Sequence, residues 1–322
     1  MSVVDFIVAK CALDAEMDDY LYVRPDFSLW QSTVQAKRIQ SFGIFRKDNL
    51  RAYGRLTLAG KDGVWTAPVT GTFGGPVLAR GKNIPLYALD ALFLEATRWL
   101  EMEAGAKSCS IRLPPHCFPD PLSGANANAL FRLGWKLDQV DVNYHLPAMS
   151  ADDFHARLGA TKRQETRRLK GSGAAFKVLP AQALQRVYEI ISRNRAARGF
   201  PMTMSWESIA ALTEAFPATI GLFGVERGLD LLAAAICLRV TSCYFYVFYW
   251  GEAPEFRREM PVLLLAEGLV AHCHENGIAV IDIGIATDRS TPNEGLIAFK
   301  TGLGFEASPK LTFRYDFLRR RE

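Results

Sequence analysis

No stretch of the chain approaches the ~18 uninterrupted apolar residues that a membrane-spanning helix needs. The densest apolar run, 229–250, is interrupted by Arg239 and carries Thr241, Ser242 and several tyrosines, so a helical membrane protein is excluded. A basic start followed by a small-residue cleavage pattern is also lacking: Asp5 and Lys10 border the short apolar stretch at the beginning. The expected location is therefore the cytoplasm. Cysteine is sparse, with six residues at positions 11, 109, 117, 237, 243 and 273 and no C-x-x-C pair. A disulfide scaffold and a zinc cluster are both excluded by that spacing. Cys109, Cys237 and Cys243 stand in strand-like apolar runs and are expected to be reduced core residues. His272 and His274 are two apart on a predicted helix, do not share a face, and have no third ligand suitably spaced, so no metal is expected. Charge of one sign is scarce too: the net charge is +4, which favours anionic ligands slightly and falls short of a DNA-binding signature. The basic concentrations are Lys162–Lys170 and the tail Arg319-Arg320-Arg321.

What the chain has is size and an internal echo. Its 322 residues, 49% of them hydrophobic, suit two domains of roughly 150 residues, each with its own core. In the first half, Tyr87–Glu103 places Leu89, Leu92, Phe93, Ala96, Trp99 and Leu100 on one helical face. Gly105 ends this helix, and a strand, Cys109–Leu113, follows. In the second half a helix opened by a first-turn proline runs from Pro261 to Asn276; Gly277 ends it and the β-branched run Ile278–Ile285 follows. Leu133-Gly134-Trp135 and Leu303-Gly304-Phe305 then recur at matching places, each before a strand. This order, written twice, predicts a duplication with a boundary near Pro147–Asp152, giving domains 1–150 and 151–322. The second half reads: basic helix to Lys170, strand Phe176–Leu179, helix Ala181–Arg198, helix Trp206–Phe216 capped by Ser205. Strands Thr219–Val225, Leu231–Val240 and Ser242–Trp250 follow, and then the helix and strand already named.

That order, with the segment 296–306 (LIAFKTGLGFE) and its aromatic, basic and Gly-Phe corner, resembles the GNAT N-acyltransferase family. Over nearly its whole length the chain is similar to the FemAB-like branch, which carries two GNAT lobes. Residues 66–77 (TAPVTGTFGGPV) look like that branch's N-lobe signature, and 281–284 (IDIG) with Phe299-Lys300 like its C-lobe signature. The resemblance implies an α/β fold, with mixed sheets in two tandem GNAT-like domains, the first supporting substrate binding and the second catalytic. It implies a donor carbonyl held where the fourth and fifth strands of the second lobe splay apart, beside Tyr244–Trp250 and Ile281–Ile285.

On that footing Lys300 is the expected oxyanion stabiliser. Asp282, a carboxylate in a strand of Ile, Val and Gly, must be paired or face a cavity and is expected to be a base or orienter. Tyr246 and Tyr249, three apart on a strand, are expected to point to opposite faces, so that at most one meets the cleft: Tyr249 as a catalytic group or Tyr246 against substrate. Phe73, Gly74 and Gly75 are the expected substrate-side loop, with the glycines allowing a sharp turn or close backbone approach. The pyrophosphate loop of acetyl-CoA enzymes, Arg/Gln-x-x-Gly-x-Gly/Ala, corresponds here to 251–261 (GEAPEFRREMP), which has no second glycine. A helix N-terminus still attracts phosphate, with Arg257 and Arg258, beside Phe299, as the expected cofactor contacts. The favoured function is transfer of an acyl group from acyl-CoA to an amine of a polar small molecule, such as an amino sugar or cell-envelope precursor. The alternatives are an aminoacyl-tRNA-dependent peptide transferase, for which no inserted helical arm is visible, and a non-catalytic ligand-binding pair.

Overall fold

In a computed structural model that describes residues 6–13, 17–48 and 50–317, the chain forms two units. The Arg319–Arg321 tail lies outside the described residues. The first unit takes in the described residues up to Val142, with 289–291 and those from Ser308 on; the second holds 143–288 and 292–307. In chain order the first half supplies β1 (Phe6–Cys11), α1 (Pro25–Gln35), β2 (Arg38–Arg46), β3 (Ala52–Lys61), β4 (Val64–Ala67), β5 (Val77–Leu78), α2 (Leu86–Met102), β6 (Ser108–Arg112), α3 (Ser123–Arg132) and β7 (Lys136–Pro147). The second supplies α4 (Ala151–Arg157), α5 (Ala160–Gly171), β8 (Ala175–Leu179), α6 (Leu184–Ala196), α7 (Trp206–Ala215), β9 (Ile220–Arg227), β10 (Asp230–Arg239), β11 (Tyr244–Glu252), α8 (Val262–Glu275), β12 (Val280–Ile285), the two-residue strands β13 (Thr287–Asp288) and β14 (Thr291–Pro292), α9 (Glu294–Gly302) and β15 (Glu306–Asp316).

The echo in the sequence becomes an echo in topology. In the first unit β1, β2, β3 and β4 pair antiparallel in turn, β4 pairs parallel with β6 across the α2 crossover, and β6 pairs antiparallel with residues 312–316 of β15. In the second, β8, β9, β10 and β11 pair antiparallel, β11 pairs parallel with β12 across α8, and β12 pairs antiparallel with residues 143–147 of β7. The closing strand of each unit therefore comes from the end of the other half of the chain. Gly105 and Gly277, just past α2 and α8, both take positive φ (59° and 66°), as do Gly134 and Gly304 (83° and 80°). A side chain at these turns would strain the backbone, which is why glycine marks the same two corners of both copies.

The cores follow from the apolar periods. In the first unit Leu89, Leu92, Phe93, Ala96, Trp99 and Leu100 of α2 are buried against Phe42, Leu56, Leu58, Trp65, Cys109 and Ile111, each large side chain contributing ~1.5–3 kcal/mol. In the second, Val187, Ile190 and Ile191 of α6 and Ile209 of α7 pack on Leu222, Ile236 and Tyr249. Ser205 caps α7, its hydroxyl accepting from the Ser208 N–H. The expected helix from Ala181 is shorter, because 181–183 form a 3-10 turn ahead of α6. All six cysteines are free; Cys109, Cys237 and Cys273 are buried, whereas Cys243 is only half-buried because it lies in the turn before β11. No helix among the described residues is long and apolar enough to cross a membrane.

The first unit also carries polar groups that the apolar pattern did not announce. Arg55 is 1% exposed and donates to Asp19 at 2.7 Å and to the carbonyls of Leu13 and Val23 at 2.6 and 2.9 Å. Asp120 accepts from the Leu122 N–H at 2.8 Å, yet burial pushes its pKa from 3.8 up to about 6. A raised carboxyl binds its proton more tightly in the folded chain. Its stabilising effect is thus complete below the unfolded pKa and is lost as pH rises through about 6. Asp120→Asn is therefore expected to raise stability by on the order of 1–2 kcal/mol at pH 8 and by nothing near pH 4. Urea unfolding at the two pH values checks this, and an equal effect at both would contradict it.

Candidate active site in the second unit

The parallel pairing of β11 with β12 is brief. It aligns Tyr244 with Val280, Phe245 with Ile281 and Tyr246 with Asp282, whereas β11 runs on to Glu252 and β12 to Ile285. Each strand is irregular just past the last pair. On β11, Tyr249 lies opposite Ile236 and Val247 opposite Cys237, so Phe248 is an extra residue. On β12, Asp282 lies opposite His145 but Ile285 opposite Asn143, so that two residues stand where one would fit, and Gly284 takes φ +76°. A bulge adds a residue, bends its strand and frees ladder groups. Two bulges on adjacent parallel strands part them beyond Tyr246 and Asp282.

The β11 bulge corrects the expected orientation of the two tyrosines. Leu238 pairs with Tyr246 and Ile236 with Tyr249; residues 236 and 238 share a face, so Tyr246 and Tyr249 share it too. Strict alternation would have separated them, and the extra Phe248 restores the phase. Their destinations differ. Tyr249 is 5% exposed, its hydroxyl bonds that of Thr203, and Arg195 lies 5.6 Å over its ring. Tyr246 is half-buried and its hydroxyl lies beside Gly284, where a Cβ would stand only 3.0 Å away. Any larger residue at 284 would meet this hydroxyl as well as the strained φ.

The floor of the gap is a buried polar network. Asp282, 1% exposed, accepts from Asn143 Nδ2 at 2.9 Å and from the Gly284 N–H at 2.7 Å through Oδ1, and from the Tyr244 hydroxyl through Oδ2. The sequence expectation that this carboxylate must be paired is met by neutral donors rather than by a cation. Lys300, on α9 and 2% exposed, donates to the carbonyls of Ile283, Gly284 and Ile285, each at 2.8 Å, and lies 5.7 Å over the Tyr144 ring. An ammonium has three protons, and these three carbonyls are those that the β12 bulge exposes. Phe299, next to it, meets Trp250 edge-on at 5.7 Å.

Arg257 and Arg258 are exposed on the 3-10 turn Pro254–Glu259 that precedes α8. The loop residues Phe73, Gly74 and Gly75 belong to the first unit and are described there alone. Phe73 is fully buried among Tyr20, Tyr22 and Phe118, with ring centroids 4.9–5.4 Å away, and Lys310 Nζ lies 5.6 Å over its ring. Gly74 donates to the Arg112 carbonyl at 2.7 Å, and a Cβ on it would come within 2.8 Å of Pro68. This is the close backbone approach that the glycine pair predicted. Sequence reasoning missed Tyr244 and Asn143 as the partners of Asp282.

Residues 156–294 match the model of the acetyltransferase (GNAT) domain, and the chain as a whole has the fold of tandem GNAT proteins. It is similar to the crystal structure of FemX, with 15% identity, 94% of each chain covered and a TM-score of 0.69. It is also similar to the C-terminal domain (DUF2156) of a putative lysylphosphatidylglycerol synthetase from Agrobacterium fabrum, with 14% identity, 94% of this chain and 90% of that one covered, and a TM-score of 0.57. A tandem GNAT protein from the clavulanic acid biosynthesis pathway aligns at 12% identity over 97% and 98% of the two chains, with a TM-score of 0.53. No curated protein matches the sequence.

Lys300→Met removes the donor from three buried carbonyls and is expected to cost roughly 3 kcal/mol or more of stability, read as a lower urea midpoint. A variant within about 0.5 kcal/mol of the parent would show that the ammonium does not hold the bulge.

Proposed function

We propose that the chain is an N-acyltransferase whose second unit carries the reaction, moving an acyl group from an activated donor to the amine of a polar small molecule such as an amino sugar or a cell-envelope precursor. The observation that carries this reading is the double bulge, which opens β11 from β12 after three paired residues. Acyl transfer needs a fixed carbonyl and donors aimed at its developing oxyanion, and a gap between two strands whose bulges are held by Lys300 and Asp282 supports a rigid place for both.

The side chains divide the work. Tyr246 is the candidate for direct contact, since its hydroxyl lies beside the bulge at Gly284 and can hand a proton to, or accept one from, the reacting group. Lys300 and Asp282 are positioning residues: one holds the outward-turned carbonyls of β12, the other fixes Tyr244, Asn143 and the Gly284 N–H. The positive charge of Lys300 also lies against the strand where negative charge would develop, which keeps an electrostatic part for it in stabilising the oxyanion. Tyr249 braces the segment after α6 through Thr203. Phe299 and Trp250 supply an aromatic surface for the acyl chain or its carrier. The first unit supports acceptor binding through the framework that Phe73, Gly74 and Gly75 build.

Acyl-CoA is the donor that the sequence favours. An aminoacyl ester, as on tRNA, is the second reading, and the turn before α8 favours it, since Met260 stands at φ +52° and Pro261 offers no N–H where a phosphate loop has bare backbone. Incubating the chain with acetyl-CoA, longer acyl-CoAs or aminoacyl-tRNA and a panel of amines, then reading N-acylated products by mass spectrometry, tests the reaction class. Tyr246→Phe is expected to lower kcat about 100-fold with an unchanged melting temperature. Product from no donor, or full turnover by Tyr246→Phe, would overturn the reaction or the role.

A further inference from the structure

The carbonyls at the C-terminal end of α9 can be accounted for one by one. The Leu303 N–H donates to Phe299 at 3.1 Å, the Phe305 N–H to Lys300 at 3.2 Å and the Gly304 N–H to Thr301 at 2.8 Å. This is the pattern of a helix that closes on a left-handed glycine, and Gly304 supplies that conformation with φ +80°. The pattern leaves over the Gly302 carbonyl, which needs a donor from outside the helix. Lys162, on α5, donates its ammonium to it. A cation at this end of a helix also meets the negative pole of its dipole.

The fit depends on glycine. A Cβ at Gly302 would run into Lys162 Nζ, so the ammonium comes this close only because no side chain stands there. Burial lowers the Lys162 pKa, as befits an ammonium drawn partly out of water. Neighbouring residues of α4 hold the same corner. Phe154 meets Phe305 edge-on at 6.3 Å, and Arg157 donates to the Gly304 carbonyl at 3.4 Å and to the Glu306 carboxylate at 2.8 Å. Lys300 stands two residues before Gly302, in the last turn of α9. What holds that turn holds the backbone from which the Lys300 ammonium reaches Ile283, Gly284 and Ile285.

We infer that Lys162 is a positioning residue for Lys300: by taking the carbonyl that the α9 corner leaves over, it fixes the turn that aims the buried ammonium at the β12 bulge. The first cation of the basic segment Lys162–Lys170 thus acts on the candidate site through α9. For catalysis this rests on the reading that acyl transfer takes place beside β11. The placement of Lys300 by Lys162 does not depend on that reading.

Nitrogen NMR of the full chain, isotopically labelled in its lysine side chains, tests the placement without any donor. With each proton on a carbonyl, the Lys300 ammonium is expected to exchange slowly with water, and loss of its signal in Lys300→Arg assigns it. Lys162→Met and Gly302→Ala are each expected to speed that exchange at least ~10-fold, and Lys162→Arg to stay within ~3-fold of the parent. Gly302→Ala separates positioning from stability: alanine favours a helix over glycine, so the exchange is expected to rise with no fall in melting temperature. With a donor and amine that give product, both variants are expected to lower kcat ~10-fold and to leave KM within ~2-fold. Unchanged Lys300 exchange in Lys162→Met and Gly302→Ala, or unchanged kcat in both, would overturn the inference. Should Lys162→Met fail to fold, Gly302→Ala still decides, since it adds a methyl group at a helical position without positive φ. If no donor gives product, the acyltransferase reading falls while the exchange data still judge Lys162.

Discussion

One ammonium group organises the second unit. Three consecutive carbonyls, those of Ile283, Gly284 and Ile285, leave the β ladder at the β12 bulge, and buried carbonyls without donors are costly. Lys300 meets all three. Without that cation three buried carbonyls would lose their donor. Burying a lysine is itself expensive, and the cost is offset only because every proton finds an oxygen and the Tyr144 ring lies over the charge. The bulge and the lysine therefore require each other. The irregular end of β12 rests on a structural cation.

The same reasoning separates stability from chemistry among the residues with ionisable groups. Asp282 accepts from Tyr244, Asn143 and a backbone N–H, and so fixes three elements at once. Tyr246 is half-buried, and its hydroxyl lies beside Gly284, where a Cβ would stand only 3.0 Å away. Groups that bind tightly to their own protein hold geometry.

Much of the fold was legible because it is written in local signals. Apolar period, capping serine and positive-φ glycines located α2, α7, α8 and the corners at Gly105, Gly134, Gly277 and Gly304, and their repetition announced the duplication. The exchange of closing strands was not legible, since β15 alternates equally well whichever sheet receives it and pairing is a long-range choice. The bulge at Phe248 left no trace either: an extra aromatic in an aromatic strand looks like more strand. That one residue reversed the expected faces of Tyr246 and Tyr249. Lys300 was picked out by resemblance, but its three carbonyl partners depend on the β12 bulge, which only the register between Asp282 and Ile285 reveals.

A missing motif acquires physical meaning at the turn before α8. The sequence lacks the second glycine of a phosphate loop, which by itself says only that the loop differs. The structure shows what stands there instead: a proline without an N–H and a methionine held at φ +52°, with the Leu263 N–H spent on the Met260 carbonyl. Each change weakens an anion site at a helix N-terminus, because it removes a donor or sets a side chain where bare backbone would approach. On the proposed reading, more of donor recognition then falls to the gap and to the aromatic pair of Trp250 and Phe299.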